Sequence, residues 1–193
     1  MFMELWIARH GETESNAAGR ALGGGGDAPL TAEGIRQAKQ LGESLQGISF
    51  DAVYASPLGR ATDTAAIAFQ NRVWPILDER LIEIGLGEME GLTWEEITER
   101  YPASSCFMSD PVGYIPPPSG ETLSAMLERV DAFLQELAGK PHQRVFVLTH
   151  GYVLRVVYAC MTDHSLAAIG KAPPYGNCAV ARYRCEDGHW TMS

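Results

Sequence analysis

Two histidines in this sequence each lie just beyond a short apolar run, and a glycine follows each of them. His10 lies between Arg9 and Gly11, and His150 precedes Gly151. A histidine after a strand is usually a hydrogen-bonded loop residue, so neither position indicates chemistry by itself. A neutral imidazole is, however, a competent covalent nucleophile. The two histidines therefore mark a candidate nucleophilic site, provided that other reactive groups join them.

Two arginines and a carboxylate complete a set that suits phosphoryl transfer. The planar guanidinium groups of Arg9 and Arg60 match the oxygens of a phosphate dianion. Phosphoryl transfer needs charge neutralisation, an in-line nucleophile and a proton for the leaving oxygen. Arg9, Arg60 and His150 can supply the charge, His10 the attack and Glu83 the proton. A divalent metal is the less favoured alternative, because Arg9 would repel it and no His-x-x-x-His pair is present. We therefore predict a site without a metal or other cofactor.

The hydrophobic pattern places these residues in alternating strands and helices. Short apolar runs predict strands at residues 5–8, 51–55, 73–77 and 145–148, and a hairpin at residues 178–192 that turns at Asp187 and Gly188. Caps and apolar spacing predict helices that start near Thr31, Ser56, Thr93, Glu121 and Gly151. This alternation is typical of an α/β fold, a three-layer α/β/α sandwich with a mostly parallel central sheet.

The carboxyl ends of parallel strands form one edge of the sheet, where ligands bind. The four predicted parallel strands are followed by chemically active residues: Arg9 and His10, Arg60, Glu83, and His150 with Gly151. The helices after the second and fourth strands add backbone N–H donors for an anion at the same edge. An arginine in a first helical turn is unfavourable unless an anion lies near it. We therefore expect these residues to form one active site.

Length and composition indicate one globular domain, residues 1–193, with an insertion or lid around residues 85–119. The glycine run at residues 23–26 predicts a mobile loop. That run lacks the Gly-Lys-Ser/Thr ending of a nucleotide-binding loop, so a nucleotide cradle is not expected there.

The formal net charge of −9 argues against nucleic acid or an anionic membrane as a partner, since both require a positive surface. It also requires that any phosphate pocket be locally positive. No apolar run approaches the length of a membrane span, and the N-terminus lacks a signal-peptide pattern. The scattered cysteines, of which Cys178 and Cys185 could conceivably pair, are better interpreted as buried free thiols in a cytoplasmic protein.

Several motifs resemble one known family. Residues 5–16, LWIARHGETESN, resemble the Arg-His-Gly-Glu-Thr signature of the histidine phosphatase superfamily, also called the phosphoglycerate mutase-like family. Further matching segments follow in order over almost the whole chain: Gly19-Arg20, Pro29-Leu30-Thr31, Ser56-Pro57-Leu58 with Arg60-Ala61, Leu81-Ile82-Glu83 to Glu90-Gly91, Gly120-Glu121-Thr122-Leu123 and Thr149-His150-Gly151. The number of matches in sequence order makes the resemblance specific.

The resemblance implies a mechanism for the residues that match. His10 would be phosphorylated transiently, and Glu83 would act first as an acid and then as a base. The phosphoryl group would be held by four side chains: Arg9, Asn16, Arg60 and His150. The implied substrate is a phosphate monoester of a small molecule.

The segment around Glu83 indicates a branch within the family. Mutases carry Glu-Arg-x-Tyr-Gly at the acid position, whereas this chain has Leu-x-Glu-x-x-x-Gly-x-x-Glu-Gly, which resembles the metal-independent phosphatases. Within that branch, an α-ribazole-phosphate phosphatase and a broad-range small-molecule phosphatase both remain open. Phosphoglycerate mutase-type phosphoryl transfer is the first alternative. A non-catalytic binding protein on the same fold is the second, less favoured because His10, Glu83 and His150 are all present.

Overall fold

A computed structural model of the chain describes residues 2–192. Six strands in this part of the chain form a single sheet in the order β3-β2-β4-β1-β5-β6. Their bounds are β1 Phe2–Arg9, β2 Ala52–Ala55, β3 Ile76–Leu77, β4 Arg144–Thr149, β5 Val180–Glu186 and β6 His189–Met192. The first four strands pair in parallel, and the last two add an antiparallel hairpin to β1. The prediction of a mostly parallel sheet is confirmed.

The helices lie between these strands. They are α1 Glu14–Ala17, α2 Ala32–Ser44, α3 Gly59–Ala68, α4 Trp94–Arg100, α5 Leu123–Ala138, α6 Gly151–Cys160 and α7 Leu166–Lys171, with short 3-10 turns at Glu79–Leu81, Gly87–Met89 and Ser105–Met108. Helices α1 and α7 are not predicted from the sequence, because segments of 4 and 6 residues are too short to show a helical period. None of the helices in residues 2–192 is long and apolar enough to cross a membrane.

The two faces of the sheet bury separate apolar clusters. Along β1, Leu5 and Ile7 point to one face and pack with α5 and α6, while Trp6 and Ala8 point to the other and pack with α2 and α3. Strand β4 alternates in the same way. Burying one large apolar side chain is worth about 1.5–3 kcal/mol, so both layers of helices contribute to stability. The predicted three-layer arrangement is therefore confirmed.

The local predictions differ from the structure at two elements. Helix α3 begins at Gly59, not at Pro57, and no side chain of its own caps it. Ser56 lies two residues before the N-cap, Leu58, and its hydroxyl accepts from Leu58 N–H at 3.4 Å and binds a histidine, as described below. Strand β3 covers only Ile76–Leu77 of the predicted residues 73–77. Pro75 cannot donate a backbone hydrogen bond, which limits this edge strand at its start.

Other local signals are confirmed. Thr31 caps α2, and Thr93 forms a capping box with Glu96 at the start of α4. The hairpin between β5 and β6 turns at Asp187 and Gly188, whose φ angles of 50° and 85° match the mirror-image turn that hairpins favour. These short-range patterns succeed because the residues that decide them are adjacent in the sequence.

Candidate active site

The two histidines lie side by side at the carboxyl end of the sheet. Strands β1 and β4 are paired in parallel with Arg9 opposite Thr149, so the residues that follow them, His10 and His150, are neighbours. Their rings make an edge contact with 5.2 Å between centroids. Only 4% of His10 and none of His150 is exposed. The sheet topology thus produces a buried histidine pair.

His10 is held as a neutral ring with a free Nε2. Its Nδ1 lies 2.7 Å from the carbonyl oxygen of Gly11. A carbonyl only accepts, so Nδ1 carries the proton and Nε2 keeps its lone pair. Burial, assisted by the charges of Arg60 and Arg9, lowers the pKa of His10 to about 3. The ring is therefore neutral, with a lone pair on Nε2, over the whole physiological pH range.

His150 has one occupied nitrogen and one without a partner. Its Nε2 lies 2.7 Å from Ser56 Oγ, while its Nδ1 is buried and has no hydrogen-bond partner among residues 2–192. Burial is the largest cause that lowers the pKa of His150 well below its ordinary value, and the neighbouring His10 and arginines add to it. If the Ser56 hydroxyl donates to Nε2, then Nδ1–H is free to donate to an anion.

Arg60, the second residue of α3, is the most buried charged side chain of the site, with 1% exposed. Its Nη1 donates to the carbonyl of Gly26 at 2.9 Å and to Asp27 Oδ1 at 3.1 Å. Its Nη2 donates to the carbonyl of Gly23 at 2.9 Å. A buried guanidinium is costly unless it is paired and hydrogen-bonded, and these contacts meet that need.

Unpartnered donors concentrate in this cluster. Arg9 Nη1 donates to the carbonyl of Tyr175 at 3.0 Å, but Arg9 Nε has no partner. Within the described residues, the buried side-chain nitrogens and oxygens without a partner are Arg9 Nε, Arg60 Nε and His150 Nδ1. Each such donor costs about 1–3 kcal/mol when nothing accepts from it. Three of them around one buried histidine fit an anion with several oxygens, such as a phosphoryl group.

Glu83 is buried, with 9% exposed, beside the same cations. Its Oε1 accepts from Ile84 N–H at 3.0 Å and its Oε2 from Tyr152 N–H of α6 at 3.1 Å. Burial raises the pKa of this carboxyl, although the two backbone hydrogen bonds and the charges of Arg60 and Arg9 oppose the shift. A carboxyl with a raised pKa can hold a proton for transfer.

A cavity of about 300 Å³ opens beside these groups. Arg9, Asn16, Glu83 and Gly151 line it, whereas the more deeply buried His10, Arg60 and His150 do not. The rest of its wall mixes two cations with apolar and aromatic side chains: Arg20, Arg155, Leu22, Ile84, Leu86, Trp94, Phe107, Met108, Tyr152, Pro174 and Tyr175. The wall can accept the organic part of a ligand whose anionic end reaches the histidines.

Asn16 and Gly151 take the remaining predicted positions. Asn16 Oδ1 accepts from Thr13 N–H in the capping box of α1, which leaves its amide nitrogen as the donor for a ligand. Gly151 begins α6, and the preceding His150 makes no side-chain cap. The Tyr152 N–H in its first turn binds Glu83, and Gly151 lines the cavity, so the positive end of the helix faces the site. The structure thus brings all seven predicted site residues into one cluster.

Sequence reasoning missed several residues that hold this cluster. Asp27 pairs with Arg60, and its carboxylate also accepts from the backbone N–H groups of Gly59 and Arg60 at the start of α3. Thr64 Oγ1 accepts from Gly11 N–H, and Asn177 donates to the carbonyl of His10. Only Asp27 had a usable signal, since it is the acidic residue next to the glycine run.

The glycine loop itself is more ordered than the sequence suggests. The predicted mobile loop at residues 23–26 is a loop, but its backbone N–H groups bind Glu90 and the carbonyl of Ile84. The predicted free N-terminus of α3 is also wrong, because the Asp27 carboxylate occupies it. A helix whose first amides already bind a carboxylate offers few donors to a second anion.

Among the described residues, the side chains that could together ligate a metal ion lie away from the histidine pair. The group of side chains close enough to hold an ion is Asp131, Cys160 and His164. Cys160 ends α6, about 13 Å along the helix from Gly151 at a rise of 1.5 Å per residue.

All four cysteines are free, and of them only Cys185 is fully buried. The expectation of buried thiols therefore holds for one cysteine, and the other three are partly exposed.

Comparison with known proteins identifies relatives over nearly the whole chain. The model of the histidine phosphatase superfamily (branch 1) matches residues 5–193. The adenosylcobalamin/alpha-ribazole phosphatase of Escherichia coli is 33% identical, over 81% of this chain and 78% of that protein. The metal-independent phosphoserine phosphatase of Arabidopsis thaliana is 37% identical, over 85% of this chain and 71% of that protein.

A solved structure agrees with these sequence relatives. Bacillus stearothermophilus YhfR superposes with a TM-score of 0.90 at 34% identity, and the match covers 99% of this chain and 95% of that one. The resemblance inferred from the motifs is confirmed, and so is the fold that it implied.

Proposed function

Since the chain belongs to the histidine phosphatase superfamily, branch 1, we propose that it hydrolyses phosphate monoesters of small molecules through a phosphohistidine at His10. The observation that carries this proposal is the state of the His10 ring. Its Nδ1 is fixed on the Gly11 carbonyl, and unpartnered donors of Arg9, Arg60 and His150 lie around it. A neutral nucleophile with cationic donors is what an attack on a phosphate dianion requires.

In the first step, His10 Nε2 forms a bond to phosphorus as the bond to the ester oxygen breaks. Glu83 gives its proton to that oxygen, and the alcohol leaves. Arg9, Asn16, Arg60, His150 and the backbone at Gly151 hold the equatorial oxygens. In the second step, Glu83 takes a proton from water, the water oxygen bonds to phosphorus, and the bond to Nε2 breaks. Inorganic phosphate is released, and the enzyme returns to its starting state.

The leaving alcohol occupies the 300 Å³ cavity in this proposal. Residues 85–119 supply part of its wall, including Leu86, Trp94, Phe107 and Met108, so we assign this insertion the role of a lid. The chain is similar to phosphatases named for α-ribazole phosphate and phosphoserine. Both are phosphate monoesters, and both belong in the first substrate panel.

No resident metal takes part in the proposed chemistry, because arginines and histidines supply the positive charge. We also assign the protein to the cytoplasm, where free cysteines are kept reduced. Nucleic acid is not a proposed substrate, since the net charge is −9.

The proposal is tested by assaying purified protein on a panel of phosphate monoesters, before and after dialysis against a strong chelator. We expect chelated enzyme to retain its rate and orthovanadate to inhibit it. Loss of activity that zinc or magnesium restores would contradict the arginine-based account. Transfer of label from one substrate to another hydroxyl, without phosphate release, would instead favour mutase-type transfer. Binding without turnover of any ester would favour the non-catalytic alternative.

A further inference from the structure

Residues 23–27 form a strap that wraps the guanidinium of Arg60. The strap provides three acceptors: the carbonyls of Gly23 and Gly26 and the carboxylate of Asp27. A guanidinium has five N–H groups. The strap uses three of them and leaves the Nε–H and one N–H on Nη2. Strapping therefore fixes the plane of the group while keeping two donors free.

Asp27 also fixes the backbone from which Arg60 projects. Its carboxylate accepts from the N–H groups of Gly59 and Arg60, which begin α3. Helix α3 has no cap from its own N-cap residue, Leu58. One carboxylate thus holds both the start of the helix and the side chain of its second residue.

The far side of the strap is anchored to the segment that carries Glu83. Glu90 accepts from the N–H groups of Gly23, at 2.8 Å, and Gly25, at 3.0 Å. Gly24 N–H donates to the carbonyl of Ile84 at 2.8 Å. A Cβ on Gly24 would lie 2.5 Å from the carbonyl oxygen of Glu83, so the two backbones are in direct contact. The strap is therefore tied to both proposed catalytic elements.

We propose that Asp27 is a positioning residue for phosphoryl binding, because it holds Arg60 in the orientation that leaves two of its donors free for the phosphate. The inference rests on the proposed function, which assigns Arg60 to the phosphoryl group. An unrestrained arginine would have to order its side chain at each binding event. The strap orders it during folding, and preorganisation of this kind improves binding and rate.

The competing possibility is that Asp27 neutralises Arg60 and opposes phosphate binding. The two ideas predict opposite changes in orthovanadate inhibition when Asp27 is replaced by asparagine. If Asp27 positions Arg60, Asp27→Asn weakens inhibition by orthovanadate and lowers kcat/KM by about 10-fold for every phosphate monoester. If Asp27 only neutralises Arg60, the same substitution tightens orthovanadate binding. The matched control is Asp63→Asn, which removes one exposed carboxylate from the same helix.

A double-mutant cycle separates positioning from general damage to the fold. In an Arg60→Met background, Asp27→Asn should produce no further change in orthovanadate inhibition, because the group that it orients is gone. A purely structural effect would persist in that background. Asp27→Glu, which keeps the charge, should restore part of the lost affinity.

The outcomes also distinguish this inference from the proposed function. If Arg60→Met leaves orthovanadate inhibition unchanged, the proposed role of Arg60 fails. If Arg60→Met weakens inhibition but Asp27→Asn does not, or if their effects simply add, the positioning role of Asp27 is wrong. Thermal melting of each variant shows whether the chain is folded under the assay conditions.

Discussion

The proposed chemistry depends on one hydrogen bond at His10 and on burial at both His10 and Glu83. Gly11 fixes the tautomer of His10, and burial keeps that ring neutral. Burial shifts the pKa of Glu83 in the opposite direction: it raises the pKa and so favours the protonated, neutral acid. In the proposed mechanism, a single buried environment therefore prepares a neutral imidazole as nucleophile and a carboxyl as proton donor.

The role of Glu83 predicts a contrast between leaving groups. Glu83→Gln should slow phosphorylation of His10 by about 10²-fold or more with an alkyl phosphate, and much less with p-nitrophenyl phosphate. An alkoxide needs the proton, whereas p-nitrophenolate leaves without it. Single-turnover rates are required, because the later attack by water also uses Glu83. Equal losses for both esters in the first step would remove Glu83 from the acid role.

The same residue predicts a pH effect. Because the pKa of Glu83 lies above its ordinary value, the protonated acid persists to higher pH and is lost as the pH rises through the raised pKa. First-step rates with an alkyl phosphate should fall on the alkaline side, and this limb should be absent in Glu83→Gln. Glu79→Gln is the matched control on the same segment, and the limb should remain there.

The elements show which features the sequence can predict. Apolar runs and local caps specify the strands, α2, α4 and the hairpin, because the residues that decide them are neighbours in sequence. The cap of α3 and the order of the glycine loop could not be predicted in this way. The cap is Asp27, which is 32 residues from Gly59 in sequence but in contact with it in the fold. The loop is held by Glu90 and by the carbonyl of Ile84, which are also distant in sequence.

The site residues also divide into those that the sequence can predict and those that it cannot. His10 and His150 were predictable, because parallel strands end at the same edge whatever their separation along the chain. The contacts of Ser56 with His150 and of Asn177 with His10 could not be predicted from the sequence. Nothing near either polar residue in sequence indicates its partner, and only the packed arrangement of the strands does.

The part of the cavity wall that residues 85–119 supply predicts a selective effect on large substrates. Trp94 is 48% exposed, lines the cavity and stacks on Phe107 with 5.9 Å between ring centroids. Trp94→Ala should raise KM for naphthyl phosphate several-fold, because an aromatic pair is worth about 0.5–1.5 kcal/mol beyond the area that it buries. It should change KM for glycerol phosphate little. Trp74→Ala, at an exposed tryptophan that does not line this cavity, should alter neither value.

At the scale of the whole molecule, four arginines lie at the site although the chain is acidic. The chain carries a net charge of −9, yet Arg9, Arg20, Arg60 and Arg155 lie in or beside the site. Salt screens the overall repulsion of an anion over roughly 8–10 Å, so the local cations decide binding. Helices pack on both faces of the sheet, and the register of the paired parallel strands aligns the residues at its edge.

Burial of neutral His10 predicts a contribution to acid sensitivity of the fold. Its pKa is about 3 when folded and near 6.5 when unfolded, so protonation does not affect stability above about pH 6.5, and stability is lost as the pH falls toward 3 because the unfolded state binds the proton first. Between pH 7 and pH 5 this loss is about 2 kcal/mol. Urea unfolding of His10→Gln should show a correspondingly smaller loss of stability over that interval. His189→Gln, at an exposed hairpin residue, should behave as the wild type. If His10→Gln loses as much stability between pH 7 and pH 5 as the wild type, the buried neutral state of His10 is contradicted.

The central claim is the covalent intermediate on His10, and rapid quenching with a labelled phosphate monoester tests it most directly. The account predicts a labelled protein that is labile in acid and stable in base, as expected for a phosphoramidate. His10→Ala should abolish the label, while His164→Ala, at an exposed histidine, should retain it. Label on a serine or aspartate, or label that survives in His10→Ala, would contradict the account.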